Sequence, residues 1–328
     1  MYTVTKNTKL ISLALMLIGV VALGYGFIQG AGHHTDEEIA HQVETIAHDL
    51  HLDGAHPVDA HDTHAVEAHG GHGHAVEAYY APLFHKLEEV FHLHFSAEEM
   101  LEAHDVEHVI HTTTHALHAK GQRPWSSLLV AAIFFLGVSL VSIFFLALQY
   151  VAEVGWTVVL KRVLMAIGSF LPYVGAVLLI IFITGGLHLF GNHTYHWMAT
   201  GIMDPESANY DAIIAGKEAY LNFGFFMLRA VIYLAGWYFG LKKLISLSLQ
   251  EDEHGGLEYY NKSVKVAAIF IVFFAVTSSM MAWDWIMSID THWFSTLFGW
   301  YVFAGMMVTV FVVLSMVVVH LKSKGQLE

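Results

Sequence analysis

The chain contains no cysteine. That excludes, within these residues, disulfides, thiolate-held iron–sulfur clusters, covalent c-type haem attachment and cysteine zinc sites. Charge is also scarce. Charged residues make up 13% of the 328, against 55% hydrophobic ones, which is too apolar for an ordinary soluble domain. The 15 basic residues are outnumbered by 29 acidic ones and form no basic face, so nucleic acid is excluded as a partner. Most of the Asp, Glu and His lie between residues 30 and 124, which leaves the remainder close to neutral.

What the chain does hold is long apolar runs. Runs above about 18 residues read as membrane-spanning helices. Six are expected, at 10–29, 127–151, 158–189, 223–244, 266–289 and 294–321. The fold class is therefore all-α, a polytopic membrane helical bundle in contact with lipid. Lys6 and Lys9 give the first run the positive front of a signal peptide. Its apolar core is too long for one and lacks a small-x-small exit site, so residues 1–30 are read as a retained transmembrane helix.

Simple alternation of the spans puts Lys6, Lys9, Lys161, Arg162, Lys242, Lys243, Lys262, Lys265, Lys322 and Lys324 on one side. By the positive-inside rule that side is the cytoplasm, and both termini lie there. The opposite loops hold only Lys86, Lys120, Arg123 and Lys217. They face outward, into a periplasm if the cell is Gram-negative. Trp197, Trp283, Trp285, Trp293 and Trp300 fall towards the outer side, as an aromatic belt would. In the third span, Gly168, Pro172, Gly175, Gly185 and Gly186 predict a mid-membrane kink, since Pro172 lacks a donor. Close packing through small residues and a polar notch are both open readings of it.

Residues 31–124 form an outward-facing, histidine-rich segment, part of it helical. Most of the 25 histidines are here. Ser96 to Glu99 has capping-box form, and Pro82 is placed to open an earlier helix. His104, His108, His111, His115 and His118 follow at helical spacing on one face. The tract from 53 to 77 reads as low-complexity. Histidines one turn apart can bind zinc, copper or nickel, can buffer protons, or can belong to a neutral insertion. No residue is nominated as a metal ligand, because the intramembrane His/Asp sets of a metal transporter are missing.

Polar residues inside the spans are the candidates for function. Arg229 lies roughly 10 Å into the fourth span from its outer end, at helical rise, with Tyr233 one turn deeper. Asp284 enters the fifth span from the same face, between Trp283 and Trp285. An Arg229–Asp284 pair, each charge offsetting the other's desolvation, is the expected core of an outer-side polar pocket among the third, fourth and fifth spans. His188 is at a comparable level and His292 opens the sixth span. These are the only histidines near one level, so a bundle-held b-type haem is disfavoured. Glu153, Tyr150, Thr277, Ser278 and Ser279 are candidates for an inner proton path.

Between residues 188 and 250 stand Tyr195-His196-Trp197, then Gly216 through Asn222, then Phe225-Phe226 and Arg229. Later come Asp284-Trp285-Ile286-Met287-Ser288, His292 through Thr296, and Phe298 through Gly305. Together these resemble the second quinone-binding-type membrane subunit of alternative complex III, in the NrfD-like (polysulfide-reductase membrane-subunit) superfamily. The resemblance runs from about Ser127 to the end. It implies a respiratory quinol:cytochrome c, or quinol:electron acceptor, oxidoreductase in the bacterial inner membrane. It implies a paralogous NrfD-like subunit, and partners that carry haem c and iron–sulfur clusters. The cofactor of the complex would be quinone or quinol, menaquinone being one candidate. Asp284, Arg229, His188 and Tyr233 would line the polar core and move protons, with His292 and Trp285 in the vicinity of quinone. Family members run to about ten helices, so residues 125–328 are expected to be an NrfD-like bundle lacking further C-terminal helices. Two alternatives are a metal-ion or proton-coupled transporter with a His-rich ligand loop, and a purely scaffolding subunit.

Overall fold

The computed structural model describes residues 6–30, 36–52, 72–103, 105–207 and 209–325. The histidine–glycine tract at 53–71 and His104 lie outside the described residues. Among these residues the helices are α1 (Lys6–Gly30), α2 (Asp36–Asp49), α3 (His72–Phe91), α4 (Ala97–Glu102), α5 (Val106–Val151), α6 (Val158–Gly168), α7 (Leu171–Gly186), α8 (Ala212–Ala215), α9 (Phe223–His254), α10 (Glu258–Trp285) and α11 (Phe298–Ser323). Short 3-10 turns join several of them, and no strand is described. The chain divides into two compact units, Met1–Ala14 with Trp125–Glu328, and Leu15–Pro124.

The first unit is an all-α membrane bundle. Val106–Val151, Gly155–Gly186, Phe223–His254, Glu258–Ile289 and Phe298–Ser323 are each long and apolar enough to cross a membrane. The expected first span lies within α1, whose described apolar stretch, Met16–Ile28, is shorter. Helix α5 starts well before the expected second span, because its first turns are polar and Pro124 lies inside the helix rather than at its start. One end of the bundle carries Trp285 and Trp300, and the other carries Lys161 and Lys243; we name these the tryptophan and lysine ends.

The third span is broken as expected, in the turn that precedes Pro172. The α-helical ladder stops at Gly168, and Ser169 and Phe170 separate α6 from α7. Pro172 sits in the first turn of α7, where its missing N–H costs no bond. The glycines of this span serve close packing. A Cβ on Gly168 would stand 2.8 Å from Ile143, and one on Gly175 would stand 3.1 Å from Leu234. The groove beside the break, about 290 Å³, is lined by Leu171, Pro172, Leu179, Val231 and Leu234 among others. It is an apolar groove and not a polar notch.

Helices α9 and α10 approach closely for the same reason, since Gly236 meets the Phe273 ring and Gly240 meets Phe270. Phe144 of α5 stacks on Phe274 of α10 at 4.6 Å and meets Phe303 of α11 edge-on at 5.3 Å.

The second unit has a core of its own. Ile39, Val43 and Ala47 lie along one face of α2 and pack with Leu83, Phe84, Leu87, Phe91, Phe95 and Val109. The capping box is present: Ser96 Oγ accepts from Glu99 N at 3.2 Å, and Ser96 N donates to Glu99 Oε2 at 2.7 Å. It opens only the short α4. A new helix, α5, then carries His108, His111, His115 and His118. Pro82 does not open a helix; it lies inside α3. Glu88 accepts from Phe95 N at 3.0 Å and bonds His85 Nδ1 and His94 Nδ1 at 3.3 and 3.1 Å. The Phe95 amide, ahead of the two imidazoles, holds its carboxyl below the usual carboxylate range.

Candidate functional site

Arg229 and Asp284 meet in the tryptophan half of the bundle. Arg229 is on α9, which Asn222 caps by accepting from Phe225 N at 2.9 Å. Asp284 is in the last turn of α10. The guanidinium donates twice, Nε to Oδ2 at 2.8 Å and Nη2 to Oδ1 at 3.0 Å. Tyr233 donates its hydroxyl to Oδ2 at 3.1 Å. The remaining guanidinium nitrogen, Nη1, donates to the Tyr220 carbonyl at 3.1 Å. The Tyr220 and Phe225 rings cover the cation at 3.9 and 4.3 Å from their centroids. Asp284 has no exposed surface and Arg229 only 3%. A bidentate pair with further bonds to both partners is the arrangement in which two buried charges can offset their desolvation.

The surroundings differ from the expected polar chamber. Trp285 packs against Phe182, Tyr233 and Trp237 with centroids 5.3, 6.0 and 5.9 Å away. Trp237 donates to Thr277 Oγ1 at 2.9 Å. The cluster is thus an ion pair inside an aromatic shell. Trp197 and Trp285 belong to that core, at 2% and 0% exposure, and not to an interfacial belt; Trp293 and Trp300 are exposed. The Trp285 indole N–H is buried with no hydrogen-bond partner among the described residues.

The remaining nominated residues lie elsewhere. His188 follows α7 in the left-handed region at φ 53°, and its Nε2 bonds the Met198 carbonyl at 2.8 Å. It is exposed, apart from the Arg229–Asp284 cluster. His292 is also exposed and pairs with Asp211 at 2.7 Å. The two histidines therefore engage different parts of the loop instead of facing each other. Trp285, the other residue expected near quinone, is wholly buried.

The 187–222 loop supplies what sequence reasoning missed. Tyr195 donates its hydroxyl to the Trp285 carbonyl at 2.8 Å, and Trp197 Nε1 reaches Ser288 Oγ at 3.3 Å. Lys217 Nζ donates to the Thr291 carbonyl. Asn192, fully buried, donates to the Ile181 carbonyl and to Thr184 Oγ1, both at 2.9 Å. Burial, reinforced by the charge of Asp284, pushes the Tyr195 and Tyr220 hydroxyls upward, so both stay protonated donors. A cavity of about 430 Å³ opens beside this loop, with Trp197, Met198, Ile202, Glu218, Asn222 and Phe223 in its wall. Neither Arg229 nor Asp284 lines it.

At the lysine end, Lys161 donates to Glu251 Oε2 at 2.7 Å and lies 5.2 Å from the Tyr150 ring centroid. A cavity of about 70 Å³ is lined by these residues with Gln149, Thr157 and Tyr260. Gln149 Nε2 and the Tyr150 hydroxyl are buried there with no hydrogen-bond partner among the described residues. The other members of the expected inner path do not line up with it. Glu153 is exposed, Thr277 is bonded to Trp237 and to the Phe273 carbonyl, and Ser279 bonds its own helix at Ala275.

Among the described residues, no group of three or more His, Asp or Glu is arranged to hold a metal ion. The chain matches no protein-family model and no curated protein.

Proposed function

We propose that this chain is an integral membrane subunit of a respiratory quinol-oxidising electron-transfer assembly of the alternative complex III kind. In this reading it sits in the bacterial inner membrane with cytoplasmic termini and the histidine-rich unit in the periplasm. Haem c, iron–sulfur clusters and a paralogous NrfD-like subunit belong to its partners, and quinol is oxidised at its tryptophan end. The observation that carries the reading is the buried Arg229–Asp284–Tyr233 cluster. The sequence likeness between residues 284 and 305 adds to it.

The geometry constrains what Asp284 does. Its oxygens already accept three bonds, two from Arg229 and one from Tyr233, so a substrate proton competes with these donors for the same carboxylate. Its resting role is to hold α9 to α10. Its proton role is tied to a change at the loop that Tyr195 and Tyr220 anchor. The lysine-end cavity, with Lys161, Glu251 and two unpartnered donors, fits the intake side of such a route, because roughly 15 Å³ suffices for a water with polar partners.

A scaffolding role without proton transfer is the second reading, and the closed aromatic shell favours it. The test is Asp284→Asn in the native assembly. With haem content and subunit composition intact, quinol oxidation with proton release should fall at least tenfold. Unchanged turnover in an intact assembly leaves scaffolding alone. Purification without haem-c or iron–sulfur subunits removes the respiratory reading altogether.

A further inference from the structure

Helix α5 presents His111 and His115 one turn apart on an exposed face, with their ring centroids 4.5 Å apart at an angle of 45°. The opposite face is anchored. Val109 and Thr113 have no exposed surface, and Ile110, Ala116 and Leu117 pack on the core of the Leu15–Pro124 unit. The Thr112 and Thr113 hydroxyls bond back to the carbonyls of His108 and Val109 at 2.9 and 2.8 Å. The two imidazoles are thus mounted on a backbone that folding has already fixed.

Metal–imidazole bonds of about 2 Å require the ligating nitrogens to stand roughly 3 Å apart. Rings whose centres are 4.5 Å apart reach that by small side-chain rotations, with no movement of the helix. Among the described residues neither imidazole makes a hydrogen bond or ion pair that would have to be given up. The neighbouring His108 and His118 are engaged in other interactions.

We propose that His111 and His115 form a two-imidazole clasp for a divalent transition metal, with water filling the remaining coordination positions. Nitrogen donors of this type favour Cu²⁺ over Ni²⁺ and Zn²⁺, and exclude Mg²⁺ and Ca²⁺. The clasp is independent of the respiratory reading, since it uses no residue of the Arg229–Asp284 cluster or of the lysine-end cavity. Two ligands on a fixed helix bind by proximity, so moving one imidazole by a turn abolishes the site while leaving the histidine count unchanged.

The absence of cysteine makes the test direct. A single nitroxide on Glu98→Cys, on α4, reports its distance to Cu²⁺ in the full-length chain by pulsed electron paramagnetic resonance. One narrow distance is expected at substoichiometric copper. It should vanish in His111→Gln/His115→Gln, and also in His115→Gln/Ala119→His. Circular dichroism should be unchanged in both, because the substituted side chains are exposed. Absence of a narrow distance in the parent, or its persistence in either variant, overturns the proposal.

Discussion

Tyr195, in the loop after α7, donates its hydroxyl to the carbonyl of Trp285, the residue that follows Asp284. That carbonyl belongs to the final turn of α10, where no intrahelical donor follows. The loop therefore completes the helix end that carries the buried charge, and the ion pair and the loop anchor are two parts of one construction.

Removing one member of that pair should be severe. Asp284→Ala leaves Arg229 buried without a counter-charge, which costs about 3–5 kcal/mol. Arg229→Lys keeps the charge but loses the two-pronged geometry. The double variant Arg229→Leu/Asp284→Leu should lose less than the sum of the single changes. Thermal unfolding of the purified chain in detergent measures all three, and simple additivity would count against a coupled pair.

Tyr195→Phe deletes one hydroxyl and leaves a buried carbonyl without its donor. A loss of about 1–3 kcal/mol is expected. Amide exchange should accelerate in the loop around residues 195–203 before it does in α9. Uniform acceleration across the bundle would show that the bond holds no local unit together.

The two glycines between α9 and α10 should respond differently to alanine. A Cβ on Gly240 would stand 2.5 Å from the ring of Phe270, which is only 3% exposed and has nowhere to go. Gly240→Ala should cost about 1–3 kcal/mol. A Cβ on Gly236 meets Phe273 at 2.3 Å, but that ring is partly exposed and can swing outward. Gly236→Ala should therefore be the milder change in the same unfolding measurement.

Acid should loosen the turn after α3. The carboxyl of Glu88 is lowered chiefly by the Phe95 amide. A lowered folded-state value means the contribution is present above the ordinary carboxylate range and is lost as pH falls through the lower value. Exchange of the Phe95 amide should rise below about pH 4. Glu88→Gln should remove that dependence.

Much of the membrane bundle could be read from hydropathy, because lipid demands long apolar helices. The Arg229–Asp284 contact followed from two unlike charges entering adjacent spans to one depth. The spacing of His108, His111, His115 and His118 shows the start of α5 as helix, but its continuity with the second span is hidden because Pro124 resembles a boundary. Trp197 and Trp285 were placed in a belt because position along a span does not tell which way a ring points. The contacts made by Tyr195, Asn192 and Lys217 left no periodic signal, since loop contacts across many residues have no period, although Tyr195 and Lys217 stand in the stretches that carry the resemblance. The core of the histidine-rich unit did leave one: Ile39, Val43 and Ala47 recur every four residues, overshadowed by the polar composition around them.

The interruption at Ser169 and Phe170 divides the third span into two short rods, α6 and α7. Its lysine-end rod is tied to the tail of α9 through Lys161 and Glu251, and Arg162 is bonded to Asp252. Its other rod is pinned by Asn192 through Ile181 and Thr184. The two halves of this span are thus fastened independently, one by ion pairs at the lysine end and the other by a buried amide near the tryptophan end.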